Sequence, residues 1–500
     1  MNLLKTLTIS TILGLPLVAN AEMATSLQRV AAVPLEAEIT GLTMHNGDLF
    51  MNYQHPNAEL GNEFAKAGVG VISNADFSKT LALPEGDDKK IVSTSAGKYQ
   101  LLFNAGDNGI GVISGDTSDS PDFNSFIATS DNEGYLFTNW EERPGGMSRA
   151  KLSRSEDGTW ALGEATMLDF TSVNGTWINC FGSTTPWNTP LSAEELYYDE
   201  TADWNNEAAE DFAGVANLEK HLGKFPNPYD YGFLVEITDP TGTATPIKHK
   251  AMGRFSHENG FVMPDQKTVY MSDDGTDVVF FKFIADNAGD LSAGTLYAAK
   301  FTQNGAAGSD VKDVSFGIKW IELAHSNNTE VETWVAQYAG KSPADYVEGE
   351  STYISDADVE TWAAGNASDN RVAFLESRKA AKAKGATAEF RKMEGVAYNG
   401  TDVFLAMTAV AKGMSDDKGD IQVAQNDCGA VFRIKVDGDY NATSMEAFVV
   451  GGPFDEAKAP NSCSPESISS PDNVLALEDG SILIGEDSGD HENNMLWLAK

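Results

Sequence analysis

The feature that most constrains the fold of this 500-residue chain is a short pattern that returns from one end to the other. A turn-forming Gly or Asp/Asn pair is followed by an alternating or continuous apolar run, then by a polar or acidic residue. His45-Asn46-Gly47-Asp48-Leu49-Phe50-Met51, Asn132-Glu133-Gly134-Tyr135-Leu136-Phe137-Thr138 and Gly400-Thr401-Asp402-Val403-Phe404-Leu405-Ala406 are three copies. Asp479-Gly480-Ser481-Ile482-Leu483-Ile484-Gly485 is the cleanest, and Asp265-Gln266-Lys267-Thr268-Val269-Tyr270-Met271 is weaker. Asn-Gly and Asp-Gly tolerate the positive φ of tight hairpin turns, so each copy predicts a turn entering a buried strand. A doubly wound sheet would need long βαβ alternation, which is missing. An all-β β-propeller is therefore expected, with a large β-sandwich as the competing arrangement. Two stretches break the rhythm. Residues 192–223 are acidic and rich in Ala, Glu and Leu, and residues 328–385 carry helical spacing through Val331, Trp334, Val335 and Tyr338. Both are expected to be helical insertions between blades. Neither is flanked by a Pro/Ser-rich linker, so residues 22–500 are expected to form one domain.

Charge excludes several functions. Lys+Arg 35 against Asp+Glu 74 gives a net charge of −39, which repels phosphate backbones and anionic lipid and argues against nucleic-acid binding. It suits cations as partners, and equally an adaptation to salty surroundings. Residues 1–21 read as a signal peptide for the general export route: Lys5 is followed by the largely apolar run Leu7 to Val18, and Ala19-Asn20-Ala21 is a small-x-small cleavage site near Ala21. The mature chain is expected in the periplasm or outside the cell, as a monomer. The apolar run is too short to span a bilayer, and no later segment reaches about 20 residues, so no membrane anchor is expected. Three cysteines in an oxidising compartment leave one over. Cys428 and Cys463 share the C-terminal part and are expected to pair, which leaves Cys180 to be explained.

The chain has no GxSxG elbow, P-loop, HExxH, CxxC or GxGxxG opening a helix. What remains is a set of acids at apparent strand ends: Glu141, Glu194, Glu195, Glu258, Asp273, Asp274, Glu394, Asp472 and Asp487. In a propeller the strand ends of all blades converge on one axis, so carboxylates distant in sequence can meet there. Together and unpaired they repel, so such a set calls for cations. Carboxylates alone favour Ca²⁺ or Mg²⁺, and a thiolate among them brings in a transition metal.

Asn179-Cys180-Phe181-Gly182, followed by Thr185-Pro186-Trp187 and Glu194-Glu195, resembles the signature of the PhoX-type alkaline phosphatases. The resemblance continues in order through Tyr231-Gly232, Val235-Glu236-Ile237, Ala251-Met252-Gly253-Arg254-Phe255-Ser256-His257-Glu258 and Val269-Tyr270-Met271-Ser272-Asp273-Asp274. It runs on through Gly294-Thr295-Leu296-Tyr297 to Met393-Glu394-Gly395, Pro471-Asp472-Asn473 and Asp487, most of the mature chain.

That resemblance implies a six-bladed propeller with iron and calcium in one axial site, hydrolysing phosphate monoesters outside the cytoplasm with a metal-activated oxygen nucleophile. It implies Cys180 as an iron ligand, with Glu394, Asp472 and Asp487 at further ligand positions. Glu258 and one of Glu194 and Glu195 match calcium ligands, as does Asp273 or Asp274. The family usually places an Arg two residues before the Glu of the Glu394 motif, to clamp phosphate. Here that position is Lys392, with Arg391 adjacent; residues two apart on a strand share a face, which favours Lys392. Phe181 stands where a small residue is common, and no Arg pair precedes Leu7, although many family members use a twin-arginine signal. A calcium-dependent propeller lactonase or phosphotriesterase, which needs no thiolate, is the alternative enzyme. A non-catalytic, calcium-stabilised extracellular binding protein is the other alternative.

Overall fold

The computed structural model describes residues 23–196, 198 and 200–500; the expected signal peptide, residues 1–21, lies outside the described residues. The protein is mostly β, built from antiparallel sheets. The expected hairpins form. Strands Glu38–His45 and Asp48–Gln54 pair through Asn46 and Gly47, both at positive φ (47° and 84°), the left-handed pair that a two-residue turn demands. Strands Pro121–Ser130 and Glu133–Trp140 form a second hairpin whose turn residues Asp131 and Asn132 are not left-handed, and Pro471–Ala476 pairs with Ile482–Glu486 around Gly480 at φ 84°.

Each such hairpin opens a sheet that the chain then extends outward. Glu38–His45, Asp48–Gln54, Gly68–Ile72 and Tyr99–Asn104 lie side by side. Pro121–Ser130, Glu133–Trp140, Gly146–Arg154 and Trp160–Met167 form the next four, and Asn179–Thr184, Pro190–Glu194, Leu234–Thr238 and Thr245–Lys248 the third. A nine-stranded sheet joins two further runs: one begins at His257–Val262, the other at Met393–Tyr398, and they meet where Ser315–Asn327 pairs with Ala442–Val450. The last sheet runs Pro471–Ala476, Ile482–Glu486, Met495–Ala499 and then takes in Leu27–Ala32 from the other end of the described chain. The six opening strands neighbour one another in chain order, and Pro471–Ala476 returns to Glu38–His45.

The faces of adjacent sheets interlock through alternating apolar residues. Leu191 and Leu234 of the third sheet pack with Val269, Met271 and Phe281 of the next, all buried. Each such side chain contributes about 1.5–3 kcal/mol on leaving water. Of the stretch 192–223, residues up to Glu194 belong to a strand, and a helix spans Phe212–Leu222. The stretch 328–385 holds helices Asn328–Val335, Asp356–Ala363, Arg371–Leu375 and Ser377–Ala383. No helix among the described residues is long and apolar enough to cross a membrane. Cys428 and Cys463 form a disulfide with Cα atoms 5.9 Å apart, and Cys180 is the free, buried thiol.

Candidate metal centre

Five of the six opening strands each deliver one acid or thiol, and each does so at its second residue: Asp122, Cys180, Glu258, Glu394 and Asp472. At that point the ladder to the next strand breaks register every time. Pairing skips between Asn179 and Gly182, His257 and Asn259, Met393 and Val396, and Pro471 and Val474. Opposite Asp122 it skips between Thr138 and Trp140. Such bulges bend a strand and re-aim its side chain, so the repeated irregularity turns five functional groups toward one space. Ile178, Lys392 and Ser470, each just before one of these strands, are left-handed, with φ of 37°, 50° and 43°.

The groups converge as three overlapping triads: Asp122 with Cys180 and Glu258, Glu141 with Cys180 and Glu195, and Glu258 with Glu394 and Asp472. Within each, the ligand atoms lie within 4.8 Å of one another. The Cys180 sulfur is 3.1 Å from both Asp122 Oδ2 and Glu258 Oε2. One S–H proton can serve only one of those acceptors. Buried Glu258 Oε1 and Asp274 Oδ1 have no hydrogen-bond partner among the described residues.

Electrostatics state the same problem. Burial, then the charges of Glu141, Glu258, Asp122 and Glu195, pushes the Cys180 thiol well above its usual range. Burial, then Glu394, Glu195 and Asp472, does the same to Glu258. Glu394 is pushed up to about 7 by burial and by Asp274, against the nearby Lys392 ammonium. A cluster like this must either hold protons or hold cations. Its donor set, carboxylates around one sulfur, fits metal ions: hard oxygen ligands for calcium and a thiolate for a transition metal.

The neighbouring acids divide by partner. Glu194 turns away into a buried ion pair with Lys248 at 2.8 Å and accepts from the Trp177 and Phe233 backbone N–H groups, whereas Glu195 is in the cluster. Asp273 is clamped by Arg378 at 2.8 and 2.9 Å, whereas Asp274 faces Lys392 at 4.0 Å. Asp487, half-buried, stands by Glu38, whose carboxyl is pushed up to about 8 by burial first and Asp487 second. Lys392 Nζ lies 3.6 Å from Glu394, and Glu394 leads Asp274, Asp487 and Glu195 in raising its ammonium above the usual range. Arg391 instead donates from Nη1 to the Gly275 carbonyl at 3.3 Å.

Three contributors escape a reading of strand-end acids. Asp122 begins its strand as Pro-Asp, the same dipeptide as Pro471-Asp472, which is the signal that could have found it. Asn473 links the two by donating to Asp122 Oδ1 at 3.3 Å and Asp472 Oδ1 at 3.1 Å. Gln54 donates to Glu38 at 2.7 Å and to Glu141 at 3.4 Å.

The family model for alkaline phosphatase PhoX matches residues 139–499. The chain belongs to the PhoX alkaline phosphatase family. PhoX enzymes are metal-dependent phosphoric monoester hydrolases, and the acid-and-thiol cluster is the part of this chain suited to metal ions. Among solved structures, Pseudomonas fluorescens PhoX in complex with vanadate, a transition state analogue, is 21% identical with a TM-score of 0.53, over 76% of this chain and 77% of that one. A putative oxidoreductase (glucose dehydrogenase) from Thermus thermophilus is 10% identical with a TM-score of 0.35, over 95% and 99% of the two chains. Trypanosoma rangeli sialidase is 9% identical with a TM-score of 0.28, over 84% and 55%. Among curated proteins, none matches this chain.

Proposed function

We propose that this PhoX family member is an exported phosphomonoesterase that works at an iron and calcium site built on the axis of a six-bladed β-propeller. The single observation that carries the reading is the free thiol Cys180 within reach of four carboxylates, from Asp122, Glu141, Glu195 and Glu258, in a protein whose other two cysteines are bridged. The propeller reading is supported by six successive antiparallel runs of strands, two of them joined in the nine-stranded sheet, whose opening strands neighbour one another in a closed circuit. Leu27–Ala32 completing the last sheet fits a propeller closed by both ends of its chain. Residues 22–500 then act as one domain after cleavage near Ala21.

Cys180 with Asp122, Glu394 and Asp472 suits iron. Glu258, which the resemblance assigns to calcium, is placed with them because its Oε2 is 3.1 Å from the Cys180 sulfur. Glu141, Glu195 and Asp274 supply oxygen ligands suited to calcium, and Asp487, which the resemblance groups with Glu394 and Asp472, joins them because it stands by Glu38. Held by these residues, such ions would offset the carboxylate charge and would supply Lewis acidity toward an anionic phosphate ester and a water-derived nucleophile. Lys392 presents a permanent positive charge beside the cluster and is suited to hold a phosphate oxygen as charge spreads over the equatorial positions. Thr408, which hydrogen-bonds Glu394, fixes that carboxylate's orientation. Asn473 holds Asp122 and Asp472 in mutual register.

Metal analysis of the purified mature protein, paired with a p-nitrophenyl phosphate assay, tests the reading. Iron and calcium bound together with phosphatase activity are expected. Calcium without iron, in a protein inert toward phosphomonoesters, would favour the non-catalytic alternative.

A further inference from the structure

A cleft of about 470 Å³ is lined by Pro56, Ala58, Ala65, Lys66, Ser118 and Asp119 among others. Two segments of its wall run directly to the cluster. Pro56 lines the cleft, and two residues earlier Gln54 hydrogen-bonds Glu38 and Glu141. Asp119 lines the cleft, and three residues later Asp122 accepts from the Cys180 thiol. The segments are tied together: the His55 N–H donates to the Asp119 carbonyl, and the Glu141 N–H donates to the Ser120 carbonyl, both at 3.0 Å. Three residues of extended chain span at most about 11 Å, so the Asp119 Cα at the cleft lies within that distance of the Asp122 Cα.

His55 lies in the chain between Gln54 and Pro56. Its Nδ1 is 3.4 Å from Asp119 Oδ1 and its Nε2 is 3.3 Å from Ser120 Oγ. Its backbone is left-handed at φ 53°, a conformation that non-glycine residues rarely adopt. The side chain is 42% exposed, so a ligand can reach the ring. The charged groups that act on it are Asp119, Glu38, Asp487 and Glu142. The hydrogen bond to Asp119 leads in raising the imidazolium to about 8, so the ring is mostly protonated at neutral pH.

We propose that His55 donates the proton to the leaving-group oxygen of the phosphate ester, and that the cleft beside it seats the organic part of that ester. The inference rests on the phosphatase reading above and adds residues that precede the 139–499 family match. As the phosphorus–oxygen bond breaks, its electron pair passes to the leaving-group oxygen and the Nε2 proton follows. The neutral imidazole regains a proton from water. Asp119 holds the ring through Nδ1, which keeps Nε2 as the donor, and Ser120 Oγ marks the place where that donor is satisfied before substrate arrives.

A proton donor matters in proportion to the basicity of the leaving group. An alkoxide needs the proton; p-nitrophenolate does not. The test is kcat/KM of wild type and His55→Gln for glycerol 2-phosphate and p-nitrophenyl phosphate. The alkyl ester is expected to lose about a hundredfold, in the range of a general acid, and the aryl ester less than about threefold. Asp119→Asn, a change at an exposed carboxylate that leaves the ring in place, is expected to show the same selectivity with a smaller loss. Equal losses on both esters, or none on the alkyl ester, would overturn the proposal. A metal-replete wild type inert toward both esters would overturn the phosphatase reading itself.

Discussion

The clearest consequences at the residue scale come from pairs of neighbours with opposite surroundings. Glu194 and Glu195 are adjacent, yet one neutralises buried Lys248 and the other sits with Cys180 and Glu141. Glu194→Gln leaves the Lys248 ammonium buried without its counter-charge and should cost about 3–5 kcal/mol of stability in a denaturant titration. Glu195→Gln removes one of several repelling charges, so the fold should persist while metal content and activity fall. Sequence alone left this pair open because both residues are acidic and contiguous; what separates them is Lys248, over 50 positions away and brought close by sheet pairing. Lys392→Ala should lower kcat/KM by about 2–4 kcal/mol, or thirty- to a thousandfold, if its ammonium holds phosphate. Lys392→Arg should retain activity, since a planar guanidinium can hold two phosphate oxygens. Arg391→Ala, which removes the donor to the Gly275 carbonyl, should be close to silent; the reverse pattern would make Arg391 the clamp.

Among the elements, the helix Ser377–Ala383 matters most to the cluster, because its Arg378 grips Asp273 at the end of strand Thr268–Asp273. Arg378→Ala should therefore destabilise the protein and loosen Asp274, the next residue, giving lower metal retention under chelator than in wild type. Hairpins were legible in the sequence because Asn46-Gly47 and Asp479-Gly480 require a turn whatever surrounds them. The bulges that aim Asp122, Cys180, Glu258, Glu394 and Asp472 were not, since they arise from register slips between strands rather than from local propensity. The Cys428–Cys463 bridge closes a 35-residue separation. Replacing both cysteines by Ser should cost about 2–4 kcal/mol in thermal or denaturant unfolding without altering metal content.

Considered whole, the molecule concentrates negative charge where solvent is scarce, which ties its stability to pH once metals are removed. In the metal-free protein Glu394 titrates at about 7 and Glu38 at about 8, both raised chiefly by burial from 4.5. The folded chain thus holds protons that the unfolded chain releases, so stability falls as pH rises from about 4.5 to 8. The melting temperature of chelator-treated protein should drop between pH 5 and pH 8; a flat profile would show that these carboxyls are not the dominant cost. The central claim is that the cluster around Cys180 works only when loaded with cations. The most direct measurement is p-nitrophenyl phosphate hydrolysis before chelation, after it, and after return of iron and calcium. Activity that disappears with the metals and returns with them is the predicted result, whereas hydrolysis that persists at full rate in metal-free protein would contradict it.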